Sequence, residues 1–272
     1  MVSVTRFVIL WSVIAAQLSG QTPDTALHVL SVRQAAYAAT SDHLSNTYLL
    51  TNASAVEKYD STGKLAARYS NKRLGLPAFV DCSNPLKLLV WYADFQTAVF
   101  LDRNLTELGR LNVAEAGFPA VRCVASAADG NLWAYDEGTA QLLKLRPNGE
   151  KMLESHPLNL AFAQPFSPTC ARDDAGQVIY LSDPNQGIAV FDPFAQWLKL
   201  LPIKQVRFFE VGKGLLYRKE GGALVIEEMR GLFGRKVALP DNGTARSEGA
   251  VHFSRHHLFL LRSDAVEVYK IK

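Results

Sequence analysis

An all-β fold, a ring of six similar sheets, is what this 272-residue sequence predicts, and three observations predict it. Short apolar runs each carry one aromatic residue, at Tyr48, Trp91, Trp133, Tyr180, Tyr217 and Phe259, at intervals of 43, 42, 47, 37 and 42 residues. A spacing that averages about 42 matches a repeat of one four-stranded sheet. Within each period, short β-rich segments are separated by Gly, Pro, Asn and Asp turns, the alternation expected of antiparallel hairpins. The sixth period offers three strands, while a spare strand-like segment, Leu27–Val32, precedes the first. These features describe a six-bladed β-propeller of four-stranded antiparallel blades, closed by an N-terminal strand in the last blade, which leaves no sheet edge open.

Ahead of the repeats the first twenty residues differ from the rest. Arg6 is followed by an apolar run from Phe7 to Ala16 and then by small and polar residues through Ser19 and Gly20. That order is the pattern of a cleaved signal peptide, and the run is shorter than the roughly 20 residues needed to span a bilayer. The domain reading is therefore a signal peptide at 1–20 and a single propeller domain at 21–272. A buried first strand is the competing reading. Export would place the mature chain, with no transmembrane segment, in the periplasm or at the outer membrane of a bacterium, and otherwise outside the cell.

The blades follow in order. The second is expected at 79–82, 88–92, 98–101 and 107–113, and the third at 121–124, 131–135, 141–145 and a weak strand at 151–154. The fourth is the most legible: 169–172, 178–181, 188–191 and 197–201, with turns at 174–176, 183–187 and 192–193. The fifth uses 206–210, 215–218, 223–227 and 235–239, and the sixth 251–254, 258–261 and 266–271, with Leu27–Val32 as its outer strand. The stretch IYLSDPNQGIAVFD, from Ile179 to Asp192, resembles the turn-flanked strand pair of NHL-like six-bladed propellers. The segment SNPLKLLVWYADFQTAVFLDRNLTELG, beginning at Ser83, loosely resembles uncharacterised exported proteins of Bacteroidota. These resemblances imply the fold and no functional residue, because propellers host many unrelated functions.

Charge narrows the function classes. Lys and Arg number 29 against 26 Asp and Glu, with no long run of one sign, which argues against a nucleic-acid partner that needs clustered cations. No nucleophile elbow, zinc-protease, P-loop or dinucleotide motif occurs, so the sequence points to no enzyme activity and no cofactor. Cys82, Cys123 and Cys170 allow at most one disulfide, and their spacing fits no zinc site. They read as small apolar residues packed between blades, with a redox thiol as the alternative. His256 and His257 read as a turn before a strand, because neighbours on a strand face opposite ways and cannot easily share a metal.

Aligning the first strands of the blades yields a recurring motif, apolar, variable, then Cys or aromatic: Val80-Asp81-Cys82, Val121-Arg122-Cys123, Pro168-Thr169-Cys170, Val206-Arg207-Phe208 and Val251-His252-Phe253, with Ala35-Ala36-Tyr37 in the first blade. If first strands line the channel, Asp81, Arg122, Thr169, Arg207 and His252 converge on one mouth. Two guanidiniums and a possible imidazolium beside one carboxylate would suit a small anionic or carboxylate-bearing ligand. Ordinary solvated channel lining is the alternative. Six-bladed lactonases place Asn, Asp and Glu around a divalent cation; Arg and His here disfavour such a metal-dependent hydrolase. Two apolar loops could meet a protein partner: the linker at 156–168, with Leu160, Phe162 and Phe166, and the blade-five turn holding Leu232 and Phe233. Packing beneath the ring is the alternative for the linker. The leading expectation is thus an exported protein-interaction scaffold, an accessory subunit of an envelope or outer-membrane assembly. A channel-mouth receptor and a metal-dependent hydrolase stand as alternatives.

Overall fold

The computed structural model describes residues 24–162, 164–229, 233–240 and 251–272. The expected signal peptide at 1–20 lies outside them. The described strands form six sheets, one for each sequence period. Blade 1 is built from Ala38–Ser41, Thr47–Thr51, Ala55–Tyr59 and Leu65–Ser70. Blade 2 is built from Phe79–Asp81, Leu88–Tyr92, Thr97–Leu101 and Glu107–Asn112. Blade 3 comprises Val121–Ser126, Leu132–Asp136, Gln141–Leu145 and Lys151–Glu154. Blade 4 comprises Cys170–Asp174, Val178–Asp183, Gly187–Phe191 and Trp197–Leu201. Blade 5 runs through Phe209–Gly212, Leu215–Glu220, Ala223–Glu228 and Gly234–Ala238. Blade 6 uses Val251–Phe253, His257–Leu261 and Val266–Lys270, with Leu27–Val32 as its outer strand.

The closing strand pairs antiparallel as the sequence predicts, from Leu27 opposite Lys270 to Val32 opposite Val266. A second latch adds to it, without a counterpart in the sequence pattern. Asp24–Thr25 runs parallel beside the outer strand of blade 5, with Asp24 opposite Val237, so the N-terminal segment covers the outer edges of two blades in succession.

The middle strands are apolar without alternation because both faces of each blade are covered by neighbours. Leu88–Tyr92, Thr97–Leu101 and Leu132–Asp136 are buried throughout. Outer strands such as Leu65–Ser70 and Lys151–Glu154 carry the exposed positions. Among the described residues the hydrophobic core divides into one cluster per blade interface. Tyr48 and Val90 meet between blades 1 and 2, Trp133 and Phe191 between blades 3 and 4, and Leu49 and Phe259 across the closing seam. All three cysteines lie buried and unbridged in these interfaces, Cys82 between blades 1 and 2, Cys123 between 3 and 4, and Cys170 between 4 and 5. Burial pushes each thiol above its ordinary pKa, the opposite of what a reactive thiolate needs. In blade 4, Gly187 closes the central hairpin at φ +128°, and any Cβ there would collide with the Leu201 carbonyl oxygen.

The inner strands begin later than the recurring motif suggested. In blade 1 the motif residues Ala35 to Tyr37 precede the strand Ala38–Ser41; in blade 4, Thr169 precedes Cys170–Asp174; in blade 5, Arg207 and Phe208 precede Phe209–Gly212. In blade 3 the pairing slips between Val121 and Cys123, a bulge at the motif itself. The expected uniform register around the channel is therefore absent, which decides where the candidate residues fall.

A polar contact pins the seam between blades 6 and 1. Ser41 Oγ lies 2.7 Å from Ser254 Oγ and 2.9 Å from His257 Nδ1. His257 is the first residue of its strand and buried, whereas His256 is exposed, so the pair does face opposite ways. Burial, with His256 and Lys270 adding, pushes the His257 pKa down to about 4 against a weaker opposing effect of Asp42.

Two outcomes are expected. Removing residues through Val32 leaves Val266–Lys270 as an open edge, so Tm should fall and gel filtration should show concentration-dependent association; a monomer of unchanged Tm would show that the ring does not depend on this latch. His257 is neutral in the fold and takes up a proton near pH 6.5 when unfolded, so its stabilisation, on the order of 3 kcal/mol, is present above pH 6.5 and lost as pH falls towards 4. Denaturant titrations should show the stability gap between the wild type and His257→Gln narrowing over that window, and a gap constant with pH would assign the titration elsewhere.

Candidate functional site

The six inner strands run the same way through the ring, so one channel mouth collects their first residues and the other their last. Arg172, from the inner strand of blade 4, crosses this channel and divides it. Its guanidinium carbon lies 4.6 Å from the Phe79 ring centre of blade 2 and 4.7 Å from that of Phe208 ahead of blade 5. Nη2 donates to Glu210 Oε1 at 2.9 Å and Nη1 to the Ala171 carbonyl at 2.7 Å. Burial works to lower the pKa of this guanidinium, and is outweighed by Cys170, Glu210 and Asp81, so the group stays above its ordinary value and charged. Two aromatic faces, one carboxylate and one backbone carbonyl together offset the desolvation of this buried cation.

Arg172 and Phe79 border both of the resulting cavities. The cavity at the strands' last residues has a volume of about 30 Å³, the scale of ordered water. Its wall includes Ser41, Asp81, Asp173, Glu210 and Arg255. The cavity at the strands' first residues is larger, about 180 Å³, and its wall includes Trp91, Arg122, Cys123, Thr169 and Phe208. Trp91 is only 3% exposed, and its indole Nε1 has no acceptor among the described residues.

The five residues expected to share one mouth are distributed differently. Arg122 and Thr169 do meet at the larger cavity. Arg122 Nη1 contacts Glu137 Oε2 at 3.1 Å, and Ser167 Oγ donates to the other oxygen of Glu137 at 2.6 Å. The Ser167 hydrogen bond and Arg122 hold the Glu137 carboxyl below its ordinary pKa. Thr169 Oγ1 donates to the Arg207 carbonyl at 2.8 Å, while the Arg207 side chain is exposed and borders neither cavity. Asp81 lies beyond the Arg172 partition. Its two oxygens accept from the backbone N–H groups of Ser83 and Ser126, both at 2.9 Å, so it braces blade 2 against blade 3. His252 borders neither cavity, and burial, with Lys219 adding, pushes its pKa down to about 4, so it supplies no imidazolium at neutral pH.

Arg172, Glu210, Phe79, Phe208 and Trp91 were not anticipated as channel residues. One signal was available for Arg172. The alternation that turns Cys170 towards blade 5 turns Arg172 the same way two residues later, where Glu210 stands. Among the described residues, no group of three or more His, Cys, Asp or Glu side chains could hold a metal ion.

The proposed partner loops also divide. Phe166 is core: it is buried, its carbonyl accepts from the Tyr135 hydroxyl at 2.9 Å, and it packs between blades 3 and 4. Phe162 is half-buried and stacks on Phe166 with centroids 5.1 Å apart. Leu160 projects, 81% exposed. Phe233 is exposed as expected, and Leu232 lies outside the described residues.

Ring and channel define the chain as a six-bladed β-propeller. No family model matches its sequence, and no curated protein does. Solved structures match over nearly the whole chain. A streptogramin B lyase aligns with a TM-score of 0.57 at 12% identity, covering 90% of this chain and 86% of that one. The virginiamycin B lyase of Staphylococcus aureus aligns with a TM-score of 0.55 at 10% identity, covering 84% and 77%. The Pan2 WD40 domain of Neurospora crassa reaches 0.61 at 8% identity, covering 91% and 97%. A lyase and a WD40 domain fit the backbone about equally well, so the likeness carries the fold and leaves function to the side chains.

The partition has an energetic test. Glu210→Ala strands Arg172 without its carboxylate and should cost about 3–5 kcal/mol in urea unfolding, whereas the double variant Arg172→Met/Glu210→Leu should recover most of that loss. Equal losses in both variants would mean that packing, and not the stranded charge, sets the cost.

Proposed function

We propose that this chain is an exported, non-catalytic propeller that binds a protein partner through the outer face of blade 4. The observation that carries the reading is an apolar surface where an outer strand is ordinarily polar. Trp197 and Leu198 of the strand Trp197–Leu201 are exposed, and Phe194 in the turn before it is 68% exposed. The linker at 156–168 extends the surface, because Phe162 sits edge-on to Trp197 at 5.6 Å and Leu160 projects beside it in the chain. The buried Phe166 acts as the anchor that holds this linker on the blade. Exposed large apolar groups gathered in this way mark contact sites, since solvation alone gives no reason to keep them. The partner surface complementary to it is apolar. Export rests on the signal-peptide pattern at 1–20, and in a bacterium it would make the chain an accessory subunit of an envelope or outer-membrane assembly.

The experiment is affinity purification from native membranes and soluble extract with the wild type and with Leu160→Asp/Phe194→Asp. Both positions are more than two-thirds exposed, so Tm should stay within about 2 °C of wild type, as surface changes usually do. A protein retained by the wild type and lost by the variant supports the reading. Identical recovery by both would remove blade 4 as the partner surface.

A further inference from the structure

The larger channel cavity has the makings of a small-molecule site, independently of the blade 4 surface. Arg122 and Arg172 are its charged wall residues, and no carboxylate among the described residues borders it, whereas Asp81, Asp173 and Glu210 all border the smaller cavity beyond the partition. Most of the remaining wall is apolar, with the aromatic rings of Phe79, Trp91 and Phe208. One charged group is built in deeply: the Arg172 side chain is 7% exposed.

We propose that this cavity binds a small carboxylate carrying a flat apolar body, such as an arylacetate. The carboxylate accepts from the free donors of the arginines, and the ring packs against the aromatic wall. Charge selects a monoanion over a phosphate. Each guanidinium already faces one carboxylate, Glu137 for Arg122 and Glu210 for Arg172, so little net positive charge remains to offset the larger desolvation cost of a dianion. Donors remain for the ligand, because Arg122 engages Glu137 through Nη1 alone. Entry is from the mouth where Ala78, Arg122 and Thr169 are exposed.

The test is calorimetry and thermal shift on the purified chain with phenylacetate and indole-3-acetate, and with phenylacetamide as the uncharged counterpart. Saturable binding is expected for at least one acid, at least about tenfold tighter than for the amide. Arg122→Gln should weaken it about fivefold or more with Tm little changed, because that arginine pairs at an exposed rim. Ala78→Trp should block the mouth and abolish it. Arg172→Gln is avoided because its buried pair also holds the fold. Absence of saturable binding by either acid up to about 10 mM would overturn the proposal. So would equal binding of acid and amide, or binding that survives both Arg122→Gln and Ala78→Trp. None of these results bears on blade 4, whose variants leave the channel intact.

Discussion

Pairing of Leu27–Val32 with Val266–Lys270 is the constraint on which the molecule depends. A β-sheet ends in unpaired backbone groups, and a row of sheets can either leave its first and last members exposed or bring them together. Here the N-terminal segment completes blade 6 from outside and also adds Asp24–Thr25 to blade 5. Ser41, Ser254 and His257 then tie blade 1 to blade 6 near the channel. Because each interface among the described residues has its own apolar cluster, the apolar packing of a blade comes from its two neighbours. Blades 1 and 6 are neighbours only when the ring is shut.

Closure also gives the channel its chemistry. Inner strands that share a direction present their first residues at one mouth and their last at the other, and Arg172 reaches across from blade 4 to separate the two. On one side of it stand Asp81, Asp173 and Glu210; on the other stand Arg122 and an apolar, aromatic wall. A single buried ion pair thus turns a symmetric architecture into two unlike compartments. Replacing the pair with apolar residues could keep the fold and would still erase this asymmetry.

Much of the fold was legible because a repeat multiplies a weak signal. One aromatic in an apolar run says little, but six near the same spacing identify the blades, and their second and third strands fall close to where the pattern puts them. The inner strands were less legible. They are short, and Thr169 and Arg207 belong to the segments that lead into them, so a motif shared by five blades did not mark a shared position. The bulge after Val121 shifted the register again in blade 3. Partner loops met a similar limit: in HPLNLAFAQPFSP the residues Leu160, Phe162 and Phe166 look alike, yet they end up exposed, half-buried and buried.

By itself the sequence determined the class of fold, the number of blades and the strand that closes them, because periodicity and turn chemistry are local properties that repeat along the chain. Only the tertiary structure decided which side chains meet in the channel. Arg172, Phe79, Phe208 and Glu210 come from three blades, and their contact depends on strand starts that differ by one or two residues from blade to blade. On a strand, a one-residue shift exchanges the faces, and no local pattern records such a shift until neighbouring blades are packed together.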